Sequence, residues 1–274
     1  MNHTLYKDHN LRVFYTEDEH PRPENFSMHF HPCPELYCFI SGDAIYHVEG
    51  SEYPLAPGDI LLMRPNEAHY VEIRSDAPYK RFVIRFDPVL FATLDPNGTL
   101  MRPFNERESG KGNLYRNDAF EDCDIQSIFH LFYENKNHKP GSVAALVLLL
   151  SAIGRVFEVA PPALAQTETL ENRMLYYINA HLGEKISLDD MAQFFYISRA
   201  QLCRRFKRAT GTSVGNFINT KRLLAAQTML LQGKKPTDVC AWCGYADYST
   251  FYRSYFKFFG YAPKNEARLH TEES

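Results

Sequence analysis

The chain has 274 residues, and its 30 Lys and Arg against 33 Asp and Glu give a formal net charge of −3. Hydrophobic residues make up 45 % and charged residues 23 %, which excludes a fully disordered chain and fits one large or two moderate globular domains. That average hides a split, because residues 1–167 hold 15 basic and 23 acidic side chains, a net of −8, whereas residues 168–274 hold 15 and 10, a net of +5. A basic module is thus joined to an acidic one, an asymmetry that hints at a polyanion partner for one half. Nine of the eleven histidines lie in the acidic part.

The first ten residues lack an apolar core, so no signal peptide is expected. The longest apolar run, 143–153, is shorter than the about 20 residues of a membrane span, and it reads as a buried or interface helix. Cys33, Cys38, Cys123, Cys203, Cys240 and Cys243 show no disulfide-framework spacing, so reduced thiols, a cytoplasmic location and no membrane partner are expected.

In chain order, candidate strands fall at 36–40, 44–48, 60–63, 70–73 and 82–86, separated by Gly42, Gly50, Pro57-Gly58, Pro65-Asn66 and the 76–78 turn. Short strands at this spacing predict a small barrel or sandwich. A polar stretch over 105–117 follows, then helix-period segments at 119–135 and 142–159. The second is apolar nearly all round and must be covered, either by the barrel or by the same helix of a second subunit.

A polar cluster stands out in the barrel: His29-x-His31-x3-Glu35, then Gly42, Pro57-Gly58-Asp59, Pro65 and His69. In a strand His29, His31 and Glu35 share one face. Tyr37, Arg64, Asn66, Glu67 and Tyr70 stand near that mouth. An Arg beside His and Tyr can bind hydroxyls or a carboxylate, so His29, His31, Glu35, Tyr37, Arg64 and His69 are the candidate effector-binding residues for a polar, sugar-like molecule. The cluster resembles the cupin fold, whose first motif is HxHx3–4E followed by Gly. That resemblance implies a divalent-metal site on His29, His31, Glu35 and His69, although no cofactor is expected here. The second cupin motif, PxGx2H, is one residue short in Pro65-Asn66-Glu67-Ala68-His69 and lacks its Gly.

From 168 the period becomes helical. Segment 170–181 ends at Gly183, and Ser187 caps a helix to about 195 with Asp190 at its third position. A short turn leads to Ser198, which caps 199–210, closed by Gly211. At about 100° per residue, Leu202, Phe206 and Ala209 face the core, and Ala200, Arg204 and Lys207 face outward with Cys203 and Arg208 at the edges. The pattern recurs after a long helix, about 214–231: Thr237 caps 238–243, then Asp247 caps 248–259, closed by Gly260. Ser198-x3-Leu202-x-Arg204-x-Phe206 superposes on Asp247-x3-Phe251-x-Arg253-x-Tyr255, a repeat 49 residues apart. Short helix, turn and basic helix form a helix-turn-helix arrangement.

These residues, with Gly244-Tyr245-x-Asp247-x-Ser249 and Gly260-x2-Pro263, resemble the DNA-binding domain of the AraC/XylS family of bacterial transcription regulators. The resemblance implies an α+β chain. Residues 1–160 would form a cupin-like effector-binding and dimerisation domain, 161–169 a linker, and 170–274 an all-α domain with helix-turn-helix units at about 187–210 and 237–259. It also implies a homodimer that binds double-stranded promoter DNA. Arg204 and Arg253 are the expected base contacts, and Lys207 and Arg208 the expected phosphate contacts. Arg199, Ala200, Cys203, Tyr248, Ser249, Tyr252 and Lys257 complete the expected surface. Phe256 departs from the family, standing where a Lys is common, and the aromatic-Arg ending after Pro263 is replaced by Lys264-Asn-Glu-Ala-Arg268. Cys240-x2-Cys243 lacks two further ligands for zinc and reads as packing. The alternative function is a metal-dependent cupin enzyme with an accessory DNA-binding domain.

Overall fold

Period-two alternation in the first half and period 3.6 in the second divide the chain into two units, 1–168 and 169–274. The computed structural model describes residues 2–120, 123–159 and 169–265. The expected linker 161–169 lies outside them except for Thr169, which caps the first helix of the second unit.

In the first unit β1 (Asn2–Lys7), β2 (Leu11–Asp18), β3 (Glu35–Ser41), β4 (Ala44–Val48), β5 (Ser51–Pro54), β6 (Ile60–Met63), β7 (His69–Ile73), β8 (Tyr79–Phe86) and β9 (Leu114–Tyr115) build two antiparallel sheets. Their orders are β1-β2-β8-β3-β6-β9 and β5-β4-β7. Glu35, Tyr37 and Phe39 stand opposite Arg85, Val83 and Arg81, so these six share the inner face of the larger sheet. The alternate residues Leu36, Cys38, Phe82, Ile84 and Phe86 point the other way, into a core shared with two helices of the same unit. Four elements, β1, β2, β5 and β9, were not expected. β1 and β5 are largely polar with one or two buried anchors, Leu5 and Tyr53, and β9 has two residues. β2 does alternate, with Leu11 and Val13 fully buried.

After a one-turn α1 (Arg102–Asn105), α2 (Ile125–Glu134) is capped by Asp124 and starts later than expected, because residues 117–120 form a 3-10 turn. α3 (Lys139–Val159) is long and apolar enough to cross a membrane by length and composition. Here Leu146, Leu149, Leu150 and Ile153 are fully buried with Phe129 and Phe132 in the sheet-helix core. Each such side chain contributes about 1.5–3 kcal/mol. Leu148 and Val159 stay exposed on its far side.

The 105–113 segment is fixed to the sheet by a buried ion pair. Arg107 donates from Nη1 to Glu67 Oε1 at 2.9 Å and from Nη2 to Oε2 at 2.7 Å, and Gly110 N donates to the same carboxylate at 3.1 Å. Gly110 has a φ of +72°, and a Cβ there would sit 2.7 Å from Glu49 Cβ, so the close approach requires glycine.

The second unit comprises α4 (Leu170–Ala180), α5 (Leu188–Phe194), α6 (Arg199–Thr210), α7 (Val214–Leu231), α8 (Pro236–Trp242) and α9 (Tyr248–Phe259). Ser198 and Gln201 form a capping box on α6, Asp247 caps α9, and Gly211 and Gly260 close them at φ +75° and +84°. Thr237 is not the cap of α8, because Pro236 pre-sets the first turn and places Lys235 at that position. Leu202 and Phe206 are fully buried, whereas Ala209 is half-buried. Cys240 and Cys243 pack with Leu223, Leu230, Val239, Phe251 and Tyr255.

Burial would raise the Glu67 carboxyl, but hydrogen bonds from Arg107 and the charges of Arg107 and Arg64 pull it from 4.5 down to about 2. Its stabilisation is therefore present above pH 4.5 and is lost as pH falls through about 2. Glu67→Gln is expected to destabilise the first unit by about 3–5 kcal/mol, leaving Arg107 buried and unpaired. Unfolding followed by circular dichroism should also show a flatter pH dependence below 4.5 in the variant; an unchanged midpoint at neutral pH would refute the assignment. The single Trp242 reports the second unit separately.

Candidate functional site

The inner face of the larger sheet is half-exposed at Arg81, Val83 and Arg85, although the helix-facing residues Phe82, Ile84 and Phe86 are buried. The barrel interior is thus accessible from this side. Tyr37, Phe39, Tyr46, Tyr53, Val71 and Tyr79 line its depths. Tyr37 and Tyr79 share a 2.5 Å hydroxyl–hydroxyl hydrogen bond, and the Tyr37 and Tyr46 rings meet at 4.5 Å.

Glu35 sits at the centre of the polar part, 2 % exposed. Its Oε2 accepts from Arg85 Nε at 2.6 Å and from His31 Nε2 at 2.9 Å, and its Oε1 accepts from the Tyr46 hydroxyl at 3.4 Å. Burial opposes the charged carboxylate, but the His31 hydrogen bond and the charges of His31 and Arg85 hold it well below its usual range. Burial likewise opposes the His31 imidazolium, yet hydrogen bonds to the Cys33 carbonyl and Glu35 lift it to about 9. His31 therefore donates from both ring nitrogens at neutral pH. His69 is the opposite case: burial dominates and lowers it to about 3. Its Nδ1–H donates to the Glu67 carbonyl at 2.7 Å, which leaves Nε2 as a bare acceptor, buried and unpartnered, 3.6 Å from Glu35 Oε1.

Of the residues expected from sequence, His31, Glu35 and His69 come together with their ligand atoms within 4.8 Å of one another. His29 is exposed and lies outside that trio, with its ring edge-on to His69 at 4.4 Å. Residues 29–31 form one bridge to β7 rather than a strand, so the expected common strand face is absent there. Tyr37 is buried against Tyr79 and Tyr46, deep in the interior. Arg64 is not at the cluster, because its Nε donates to Glu67 Oε1 at 3.2 Å and its Nη1 to the Arg107 carbonyl. The β8 arginines on the inner face are Arg81 and Arg85, with Arg12 of β2 opposite Arg85, and sequence reasoning missed all three. The alternation Tyr79-x-Arg81-x-Val83-x-Arg85 carries the β8 signal once Phe82, Ile84 and Phe86 are assigned to the core.

The cluster brings together side chains that could hold a divalent ion. Two imidazoles and one carboxylate are suitable ligand types. However, His31 Nε2 is committed as a donor to Glu35, and a dication there would face the Arg85 guanidinium across the same oxygen.

In the second unit Arg199, Ala200, Arg204, Lys207 and Arg208 are exposed along α6, and Cys203 is half-buried. Arg199 shares an exposed ion pair with Asp189 at 3.1 Å. Arg205 turns inward to Glu171 at 2.7 Å. On α9 Tyr248, Ser249, Tyr252, Arg253 and Lys257 are exposed, as is Phe256, which stacks on Tyr252 at 6.2 Å. Tyr196, in the turn before α6, holds a φ of +55°.

A family model described as an AraC-like ligand binding domain matches residues 13–151, and one described as a helix-turn-helix domain matches residues 191–268. The chain is similar to the HTH-type transcriptional activator RhaS of Klebsiella pneumoniae (strain 342), at 23 % identity over 248 residues, covering 88 % of this chain and 87 % of that one. It is also similar to the XylDLEGF operon transcriptional activator of Pseudomonas putida, at 22 % identity over 254 residues, 88 % of this chain and 76 % of that one. Among solved structures, ToxT from Vibrio cholerae aligns at a TM-score of 0.40 and 14 % identity, over 95 % of this chain and 98 % of that one.

Losing one phosphate contact reduces the salt slope of binding by about 1. Lys207→Ala is expected to show that loss in fluorescence-anisotropy titrations of duplex DNA across a salt series. Arg205→Ala, which removes a side chain held by Glu171, is expected to keep the wild-type slope. Equal slopes for Lys207→Ala and wild type would remove Lys207 from the interface.

Proposed function

The chain belongs to the AraC/XylS family of transcription regulators, and from that premise we propose that its barrel senses a small polar metabolite and that two unequal helix-turn-helix units carry the response to promoter DNA. The observation that supports this reading most is the repeated cap, core and outward arginine on α6 and α9. Ser198 and Asp247 start the two helices, Leu202, Phe206, Phe251 and Tyr255 anchor them, and Arg204 and Arg253 are left exposed. A guanidinium in that position can donate two bonds to guanine in the major groove. The first unit is the more basic, with Lys207 and Arg208 flanking Arg204. The second reads DNA through Tyr248, Ser249, Tyr252 and Arg253, with Lys257 on phosphate.

The effector enters the half-exposed inner face of the barrel and meets the Glu35 cluster. It acts by shifting the balance between arrangements of the barrel, α2, α3 and the DNA-binding unit. The outer side of α3, with Leu148 and Val159 exposed, supplies the contact for a homodimer. The protein works in the cytoplasm with free thiols and without a catalytic step or a cofactor.

Gel-shift assays test the DNA assignment. Arg204→Ala and Arg253→Ala should each weaken specific binding by about 1–3 kcal/mol while leaving non-specific binding near wild type. Intact specific binding in both variants would sink it. The bare His69 Nε2 favours one competing reading, a metal-dependent barrel enzyme. Elemental analysis of purified protein and of His31→Ala decides between them, because stoichiometric metal lost in the variant would overturn the metal-free reading.

A further inference from the structure

The inner face of the barrel carries a cation that, among the described residues, has no carboxylate to balance it. Arg81 stands opposite Phe39 on β3 and Thr16 on β2, inside the barrel. Its guanidinium lies 4.7 Å from the Tyr79 ring centroid and 5.3 Å from that of Phe26. Its Nη1 is buried and has no hydrogen-bond partner, while the same guanidinium also hydrogen-bonds the Tyr79 hydroxyl, and among the described residues no carboxylate forms an ion pair with it. Asp18 stands at the same end of the sheet, opposite Tyr79, without reaching it. The other inward arginines differ. Arg85 is held by Glu35, and Arg12, opposite Arg85, is exposed to solvent. An open cleft of about 610 Å³ beside Pro32, Pro34 and Met101 offers no comparable charge, because Arg102 pairs with Glu106 and Asp87 caps Val89 N.

A buried guanidinium atom without a partner is costly, and its planar fork matches a carboxylate in a way a neutral hydroxyl does not. We propose that the effector carries a carboxylate, and that Arg81 binds it between the Phe26 and Tyr79 rings. This rests on the barrel being the effector site. The Tyr46 hydroxyl and the bare Nε2 of His69 then meet the hydroxyls of the rest of the molecule, so an acidic sugar such as a uronate fits both ends.

The test is calorimetric melting of the full chain with glucuronate against glucose, galacturonate against galactose, and glucose 6-phosphate as a phosphate arm. Within at least one pair the acid should raise the melting temperature of the first unit, by about 5–10 °C at a hundredfold excess over Kd, and the neutral sugar should not. Arg81→Gln should abolish that rise and Arg81→Lys should keep part of it, each with wild-type circular dichroism. Four results overturn the proposal: equal shifts for acid and neutral sugar, an acid shift that survives Arg81→Gln, a phosphate shift that exceeds the carboxylate one, and no acid shift in the wild type. DNA anisotropy on the same samples separates the two readings. A carboxylate that binds through Arg81 yet leaves DNA binding unchanged keeps this proposal and fails the regulatory one.

Discussion

Leu36, Cys38, Phe82, Ile84 and Phe86 turn one side of the six-stranded sheet into a core with α2 and α3, and that burial is what the chemistry of the other side depends on. A strand alternates its faces strictly, so committing these residues to the helices commits Glu35, Tyr37, Arg81, Val83 and Arg85 to the barrel interior. The apolar side supplies stability, and the inner side is free to hold charged groups that would otherwise be too costly to bury. A one-residue slip of β8 against β3 would bring Arg81 and Arg85 onto α2 and α3 and Phe82 and Ile84 into the pocket. The register of one strand pair therefore places both the core and the site.

Glu35 shows how such a site tolerates its own charge. A buried carboxylate is acceptable only with compensation, and here Arg85 and His31 both supply it. The backbone sets the histidines apart. The Cys33 carbonyl and Glu35 hold His31 as a double donor, whereas the Glu67 carbonyl fixes the His69 tautomer with its acceptor turned inward. Two chemically identical side chains thus present opposite hydrogen-bonding faces in one pocket. Glu67 connects this site to the rest of the unit: its backbone carbonyl orients His69, and its carboxylate holds Arg107 and the 105–113 segment.

The helical half was largely legible in the sequence, because caps and closures are local signals. Ser198 with Gln201, Asp247, Gly211 and Gly260 each act within one turn of themselves, so α6 and α9 could be bounded to the residue. Thr237 misled because Pro236 beside it is a stronger local signal for a first helical position. The barrel was less legible. β4 and β6 are apolar enough to stand out, but β1 and β5 are largely polar edge strands that owe their strand state to hairpin pairing with β2 and β4 rather than to a pattern of their own. The same holds for the site. His31, Glu35 and His69 form a recognisable motif, whereas Arg81 and Arg85 acquire meaning only from the pairing of β8 with β3, 40 or more residues away. Arg64 lies near His69 in sequence, yet the turn at Asn66, with a φ of +68°, directs it to Glu67 instead.

Net charge can now be assigned to particular surfaces. The −8 of residues 1–167 describes their acidic surplus as a sum, yet the inner face of their larger sheet carries Arg12, Arg81 and Arg85 against Glu35 and Asp18. The two signs act at different ranges. Exposed acidic groups are screened beyond about 8–10 Å at physiological salt and act broadly to repel polyanions, whereas a half-buried guanidinium acts over one or two bond lengths in a poorly screened site. The +5 of the second half is used the other way: its arginines and lysines on α6 stand in solvent, where long-range attraction to phosphate is useful and an inward cation such as Arg205 needs Glu171 beside it.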